Sequence, residues 1–272
     1  MATGRTVQKY IRPYIDGYSM CGYSRSIGPL DWTFAEGTVD PLCSELTGVM
    51  LGQGSISCGT LNAMFDTTAV TSPHVLFKTA DASRDVLVAM GIRGEPAQGD
   101  PCFMGEFRQS DYIASPGDTP NALTIKFSPW DGVATSMAYC NPWGHLLHEN
   151  VARTSATGVN TDTGIDDVGY HTDVGGYMMY QATAGAGTGN ITAAIIVQAS
   201  DTNTNVAFNS AGTLVSSGNV NFGSGGVFSP KSGVVALATS AHVHRYLRWQ
   251  IVFDASCTSL TSVLGFVRNF SN

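Results

Sequence analysis

Charge is what this sequence has least of. Asp, Glu, Lys and Arg make up 13 % of the 272 residues, against about 25 % in an average soluble domain. The small excess is acidic, for a net charge of −7, and the fourteen Lys and Arg are scattered rather than clustered. A protein that grips duplex DNA presents a basic patch that displaces counterions from phosphates. Tight, sequence-specific nucleic-acid binding is therefore not expected, while contact with DNA that slides past is compatible with this balance. Long apolar runs are missing too, since none approaches the ~18 residues of a membrane helix. The opening residues MATGRTVQKY hold no apolar core of a secretory signal, so none is expected.

The cysteines lack a pattern. Cys21, Cys43, Cys58, Cys102, Cys140 and Cys257 are widely spaced, with no C-x-x-C, which argues against zinc ribbons and thioredoxin-like redox chemistry. Reduced, mostly buried thiols are expected of a chain made in a reducing compartment. Disulfides formed later, in an oxidising medium, stay open.

Catalytic signatures are also wanting. His145–Glu149 reads H-L-L-H-E, which fits neither order of His and Glu that zinc proteases use. Asp162-Thr163-Gly164 matches one half of an aspartic-protease site, but that chemistry needs two carboxylates sharing a proton, and no second copy exists. Calcium held by Asp162, Asp166 and Asp167 would not follow EF-hand spacing; a turn-forming acidic loop is the plain reading. Ala184–Asn190 (AGAGTGN) lacks the G-K-[ST] of a phosphate cradle and reads, like Ser217–Gly226, as turns or loop tips. There is no G-x-S-x-G elbow. No catalytic, cofactor-binding or metal residue is assigned, and the chain is expected not to be an enzyme.

What is present is glycine, 31 residues, and 43 % hydrophobic residues, too many for a disordered chain. A neutral, Gly-rich surface is easily desolvated, which suits a subunit with extensive neighbour contacts; a compact monomeric β protein has the same composition. Period-2 segments dominate. Val7–Ile15 predicts a strand, at an edge because Pro13 removes a ladder donor. Asp16-Gly17 predicts a type I′ turn, with Tyr18–Ile27 as the return strand and Gly22 a bulge. Arg84–Ile92, Cys102–Phe107, Ala122–Phe127, Gly176–Ala182 and Ile191–Ala199 are further strands bounded by turn residues. Ser72-Pro73 predicts a short helix to about Ala80 and Asn141-Pro142 another over WGHLLHE.

The most patterned stretch is His242–Phe270. Alternation places Val243, Leu247, Trp249, Ile251 and Phe253 on one face of a strand, with His242, His244, Tyr246, Arg248 and Gln250 on the other. His242 and His244 point the same way, but no third ligand is visible nearby, and zinc wants three or four. The expectation is a solvated strand face. A boundary is expected in the polar run Ala152–Gly169. The fold class is mainly β: a sandwich or barrel domain with one or two short helices over residues 1–160, then a helix-free C-terminal β-sandwich over residues 161–272.

Three segments, YIDGYSMCGYSRSIGPL (Tyr14–Leu30), NPWGHLLHE (Asn141–Glu149) and RYLRWQIVF…VLGFVRN (Arg245–Asn269), together resemble the major tail-tube subunits of long-tailed bacteriophages. The resemblance implies a structural virion protein that forms hexameric rings, with inner strands joined into a β-barrel and rings stacked into a hollow tube through which DNA passes. Its partners would be further copies of itself, other tail proteins (terminator, tape measure, baseplate) and, transiently, viral DNA, with no membrane. Its place would be the virion tail, after synthesis and assembly in the bacterial host cytoplasm. Edge strands such as Val7–Ile15 would pair with neighbouring copies, and loops Pro41–Ser57 and Ala152–Gly169 would make ring contacts. Two rivals remain. One is a carbohydrate-binding module of a tail fibre or capsid decoration protein, with Tyr170, Tyr177 and Tyr180 exposed. The other is a metal-dependent hydrolase using His145, His148 and a distant carboxylate.

Overall fold

The computed structural model describes residues 8–39, 48–67, 71–79, 81–117, 121–128, 141–157, 164–166 and 168–269. After a 3-10 turn, Gln8–Tyr10, come β1 (Ile11–Ile15), β2 (Tyr18–Ser19), β3 (Ser24–Gly28), β4 (Asp31–Val39), β5 (Gly48–Ser57), β6 (Thr60–Met64), helix α1 (Pro73–Phe77), β7 (Ser83–Met90), β8 (Pro101–Ser115), β9 (Ala122–Phe127) and β10 (Trp143–Thr154). There follow β11 (Ile165–Asp166), β12 (Gly176–Gly187), β13 (Thr192–Ser200), helix α2 (Asn205–Ala211), β14 (Thr213–Ser216), β15 (Val220–Asn221), β16 (Gly223–Ser224), β17 (Val227–Phe228), β18 (Lys231–Ala236), β19 (Tyr246–Phe253) and β20 (Cys257–Arg268). The protein is mainly β, as composition and periodicity indicated.

Contacts divide the chain into two interleaved units. One takes Met1–Gly22, Arg84–Gly105 and Gly132–Asn272, the other Tyr23–Ser83 and Glu106–Asp131. This is a different kind of division from a sequential one near residue 160. In the first unit, β18–β12–β20–β10–β8–β7–β1–β2 run side by side in one sheet, and β11–β19–β13–β14 form a second, with β15 also on β13. Their facing sides supply one core. It holds Met178, Tyr180 and Ala182 of β12, Leu260, Leu264 and Phe266 of β20, Ile195 and Val197 of β13, and Leu247, Trp249 and Ile251 of β19. Alternate residues of each strand enter it, the signature of a sandwich. In the second unit β3, β6, β9 and the later part of β8 pair in succession, and among the described residues β4 pairs β5 alone.

The local rules worked best at turns. Asp16 and Gly17 have φ of 51° and 83°, the type I′ geometry the dipeptide favours. Gly17 is required twice over, because a Cβ there would collide with the backbone nitrogen of Lys231. Its N–H donates to the buried Gln181 Oε1 at 2.5 Å. The return strand is only Tyr18–Ser19, and Gly22 lies in the following turn rather than in a bulge. β1 is flanked by β7 and by this short strand. The Pro13 carbonyl accepts from Met20 N at 2.9 Å. In a strand one residue's N and O face the same side, so the missing donor of Pro13 faces the β2 side and the ladder to β7 loses nothing.

The helices depart further from expectation. α1 ends at Phe77, without a side-chain cap from Ser72. The Asn141-Pro142 segment opens a strand instead of a helix. Asn141 Oδ1 accepts from Trp143 N at 2.9 Å, an Asx turn that feeds β10, and β10 then pairs with both β20 and β8. Two ladders outweigh a single marginal helical turn. The C-terminal region, expected to lack helices, contains α2. Thr204 caps it by accepting from Ala207 N at 3.3 Å, and Gly212 ends it at φ 82°. The helix covers the outer side of β13, where Phe208 is buried.

Candidate functional site

The patterned stretch at His242 divides at residue 246. From Tyr246 it is strand, paired along β13 from Ser200↔Tyr246 to Ala193↔Phe253. His242–Arg245 precede the strand as an irregular segment with one bridge, Thr172↔Val243. Each N–H of that bridge donates to the other residue's carbonyl, at 2.9 and 2.7 Å. Val243 points inward and is fully buried. Side chains alternate across such a pair, so the residues flanking it, His171 and Asp173 on one side and His242 and His244 on the other, share the outer face. Asp201 directly follows the last residue of β13 and so arrives beside Arg245, whose backbone N–H donates to Asp201 Oδ1 at 3.3 Å. Beneath the segment lies the buried Arg268 of β20. Its guanidinium donates to the carbonyls of Val243 at 2.8 Å and His244 at 2.7 Å, which pins the histidine-bearing backbone in place.

The side chains close into a chain of contacts. Asp173 Oδ1 lies 2.5 Å from His242 Nδ1. His242 Nε2 lies 3.2 Å from His244 Nδ1, which is 2.9 Å from Asp201 Oδ2. The rings of His171 and His242 sit 4.9 Å apart, tilted by 39°. Two sets, His171/Asp173/His242 and Asp201/His242/His244, each bring their donor atoms within 4.8 Å of one another. Slight burial works to raise the Asp201 carboxyl, but the hydrogen bonds from His244 and from the Arg245 backbone outweigh it and hold it below the usual carboxylate range. All of these residues are exposed except His244, which is half-buried. Sequence reading found the histidine pair but not its carboxylates, which come from other segments of the chain. The only signal for them was an Asp at the end of a strand and an Asp in a polar loop.

The other patterned positions resolve separately. Arg248, expected on the solvated face, is fully buried. It donates to Gln198 Oε1 at 2.7 Å, Asn205 Oδ1 at 2.6 Å and Asn209 Oδ1 at 2.8 Å, and lies over the Phe208 ring. The alternation was right, but α2 covers the face it pointed to. Arg245 pairs in the open with Asp166, whose carboxyl that ion pair holds below the usual range. His145 and His148 do not meet at a site. His145 contacts the Gly99 carbonyl at 3.0 Å, and His148 is buried against Trp249. Of the acidic loop, Asp162, Thr163 and Asp167 lie outside the described residues. Tyr177 and Tyr180, expected to be exposed, are buried at 0 % and 6 %; only Tyr170 is exposed. The carbohydrate-binding reading loses two of its three aromatic contacts. Among the described cysteines, Cys58, Cys102 and Cys257 are buried and Cys21 is exposed, all as free thiols; Cys43 and Cys140 lie outside. Burial pushes the Cys58 and Cys102 thiols far up, so neither is a nucleophile. Ala184–Gly187 belongs to β12 rather than to a loop, with Gly185 leaving room for the Phe228 ring.

The pair β4–β5 bears on assembly. Its register runs from Asp31↔Ser57 to Val39↔Gly48, and no further strand joins it among the described residues. The rest of the expected contact loop, residues 41–47, lies outside them. No helix among the described residues is long and apolar enough to cross a membrane.

No family model matches the sequence, and no curated protein does. Among solved structures the chain is similar to the Dit protein (gp 19.1) of phage SPP1, described as a hub of the adsorption apparatus in phages infecting Gram-positive bacteria. Identity is 12 % and the TM-score 0.32, over 96 % of this chain and 99 % of that one. It is also similar to the phage P2 baseplate in its activated conformation with Ca, at 7 % identity and a TM-score of 0.33, over 96 % of this chain and 98 % of that one. These scores lie below the level at which two chains share a fold.

Proposed function

We propose that this chain is a non-enzymatic structural subunit of a phage tail, assembling into hexameric rings that stack as a tube around passing DNA. The observation that carries the reading is the β4–β5 hairpin. Among the described residues, two strands of nine and ten residues pair only with each other. A two-stranded ribbon is marginal by itself, and each free edge is a template for another strand. In a ring of copies every edge meets the next hairpin and the sheet closes on itself. The tail-tube resemblance of Tyr14–Leu30, Asn141–Glu149 and Arg245–Asn269 supports the sixfold count and the tube. The charge balance suits it as well. Six copies at −7 each carry −42, and whatever part of that lines the lumen repels phosphates and keeps DNA moving. Terminator, tape-measure and baseplate proteins would meet the two ends of such a tube.

Light scattering coupled to size exclusion, with negative-stain microscopy of the same fractions, tests this. The expected species is six times 28.7 kDa, or hollow tubes with a regular axial repeat. Replacing residues 33–55 by a short Gly-Ser link should leave monomers. A wild-type chain that stays monomeric or trimeric at high concentration overturns the reading.

A further inference from the structure

We propose that Asp201, His242 and His244 bind a transition-metal dication of the zinc type, with Asp173 as the carboxylate that orients His242. The distances are those of a ligand set. Zinc holds imidazole nitrogen and carboxylate oxygen at about 2.0–2.2 Å in a tetrahedron, which puts neighbouring ligand atoms about 3.3 Å apart on that bond length. His242 Nε2 to His244 Nδ1 is 3.2 Å, and His244 Nδ1 to Asp201 Oδ2 is 2.9 Å. The third edge, Asp201 to His242, closes within 4.8 Å. A small inward adjustment of Asp201 completes a three-ligand face, and the fourth position opens to solvent.

Protons satisfy this arrangement poorly. His244 Nδ1 faces both Asp201 Oδ2 and His242 Nε2, and one N–H cannot point squarely at two acceptors. A cation serves all three lone pairs at once. The outer contacts match what metal-bound histidines use. His242 binds through Nε2 while its Nδ1–H donates to Asp173 Oδ1 at 2.5 Å, which fixes the tautomer and the ring direction. Asp201 is held through its other oxygen by the Arg245 backbone. Arg268 and the Thr172–Val243 bridge hold the backbone from below. The donors also select the ion. Imidazoles favour zinc, nickel, copper or cobalt, whereas calcium and magnesium take all-oxygen shells.

The test uses the full chain, stripped with EDTA, dialysed against zinc chloride and assayed for bound metal. The expected result is about one tightly held zinc per chain, with calcium and magnesium failing to displace it. Cobalt bound in its place should show the visible bands of tetrahedral coordination. His244→Ala and Asp201→Asn should abolish binding, and Asp173→Asn, acting only through His242, should weaken it by about ten- to a hundredfold. Melting curves in EDTA confirm that each variant folds as the parent does. The proposal is overturned if wild type retains no zinc, if it prefers calcium, or if the His242→Ala/His244→Ala double variant binds zinc as well as the parent. None of these outcomes depends on whether rings form.

Discussion

Two pairs of histidines, one spaced three residues apart and the other two, meet opposite fates. His145 and His148 sit in β10, between two strands, and the structure buries His148 in a cluster with Trp249 and Arg153. Its Nδ1 lies 2.8 Å from the Ser262 carbonyl and its Nε2 accepts from Arg153 Nε at 2.9 Å. A carbonyl can only accept and a guanidinium only donate, so His148 is neutral with its proton on Nδ1. Trp249 meets its ring at 4.3 Å and carries the Arg153 guanidinium at 4.7 Å. His242 and His244 sit outside the strands, on an exposed segment, with lone pairs converging on one another and on carboxylates. The first pair is spent on packing and the second is left for a ligand. A histidine pair therefore says little by itself; what matters is how many hydrogen-bond partners already claim its nitrogens.

The comparison can be sharpened by mutation. His148→Ala strands the Arg153 donor and the Ser262 carbonyl and opens a void against Trp249. The expected loss is about 3 kcal/mol in urea unfolding. A loss below about 0.5 kcal/mol, the level of a surface change, would show that the buried cluster is not structural.

Acid should act on the same group. Burial first, and then the Arg153 charge, push His148 down to about 4 from its ordinary 6.5. Above pH 6.5 neither the folded nor the unfolded chain is protonated there, and the contribution is fully present. Between pH 6.5 and about 4 the unfolded chain takes up a proton that the folded chain refuses, so stability falls as the pH falls. The fall amounts to about 3 kcal/mol at roughly 1.4 kcal/mol per pH unit. His148→Gln should flatten this slope, and an unchanged slope would assign it to other groups.

Tyr177→Phe probes the same sandwich at smaller scale. It removes the bond from the buried hydroxyl to the Met104 carbonyl, 2.8 Å long, and should cost about 1 kcal/mol. At the other extreme, His242→Ala should change metal-free stability by less than about 0.5 kcal/mol. A cost as large as that of His148→Ala would erase the contrast between the two pairs.

Legibility followed the range of the interactions. The strand Ala122–Phe127 appears with the bounds read from alternation, because β pattern and flanking turn residues are local. The Asp16-Gly17 turn was legible for the same reason. WGHLLHE was not: a proline after an asparagine opens a helix or a strand equally well, and pairing with β8 and β20 decided. Arg248 was read on the correct side of its strand, but whether that side meets water depended on α2. The metal-binding candidate was half legible, since the histidines are two residues apart while Asp173 and Asp201 reach them only through the Thr172–Val243 bridge and the end of β13.

The sequence by itself determined the β class, the low charge, the turn at Asp16-Gly17 and the alternation along β19, because each depends on residue type and on neighbours one or two positions away. Tertiary structure alone decided which histidine is locked neutral, which arginine is buried, and which carboxylates stand beside His242 and His244. Those outcomes depend on strand pairing between distant segments, where a nitrogen's partner is set by register rather than by spacing along the chain.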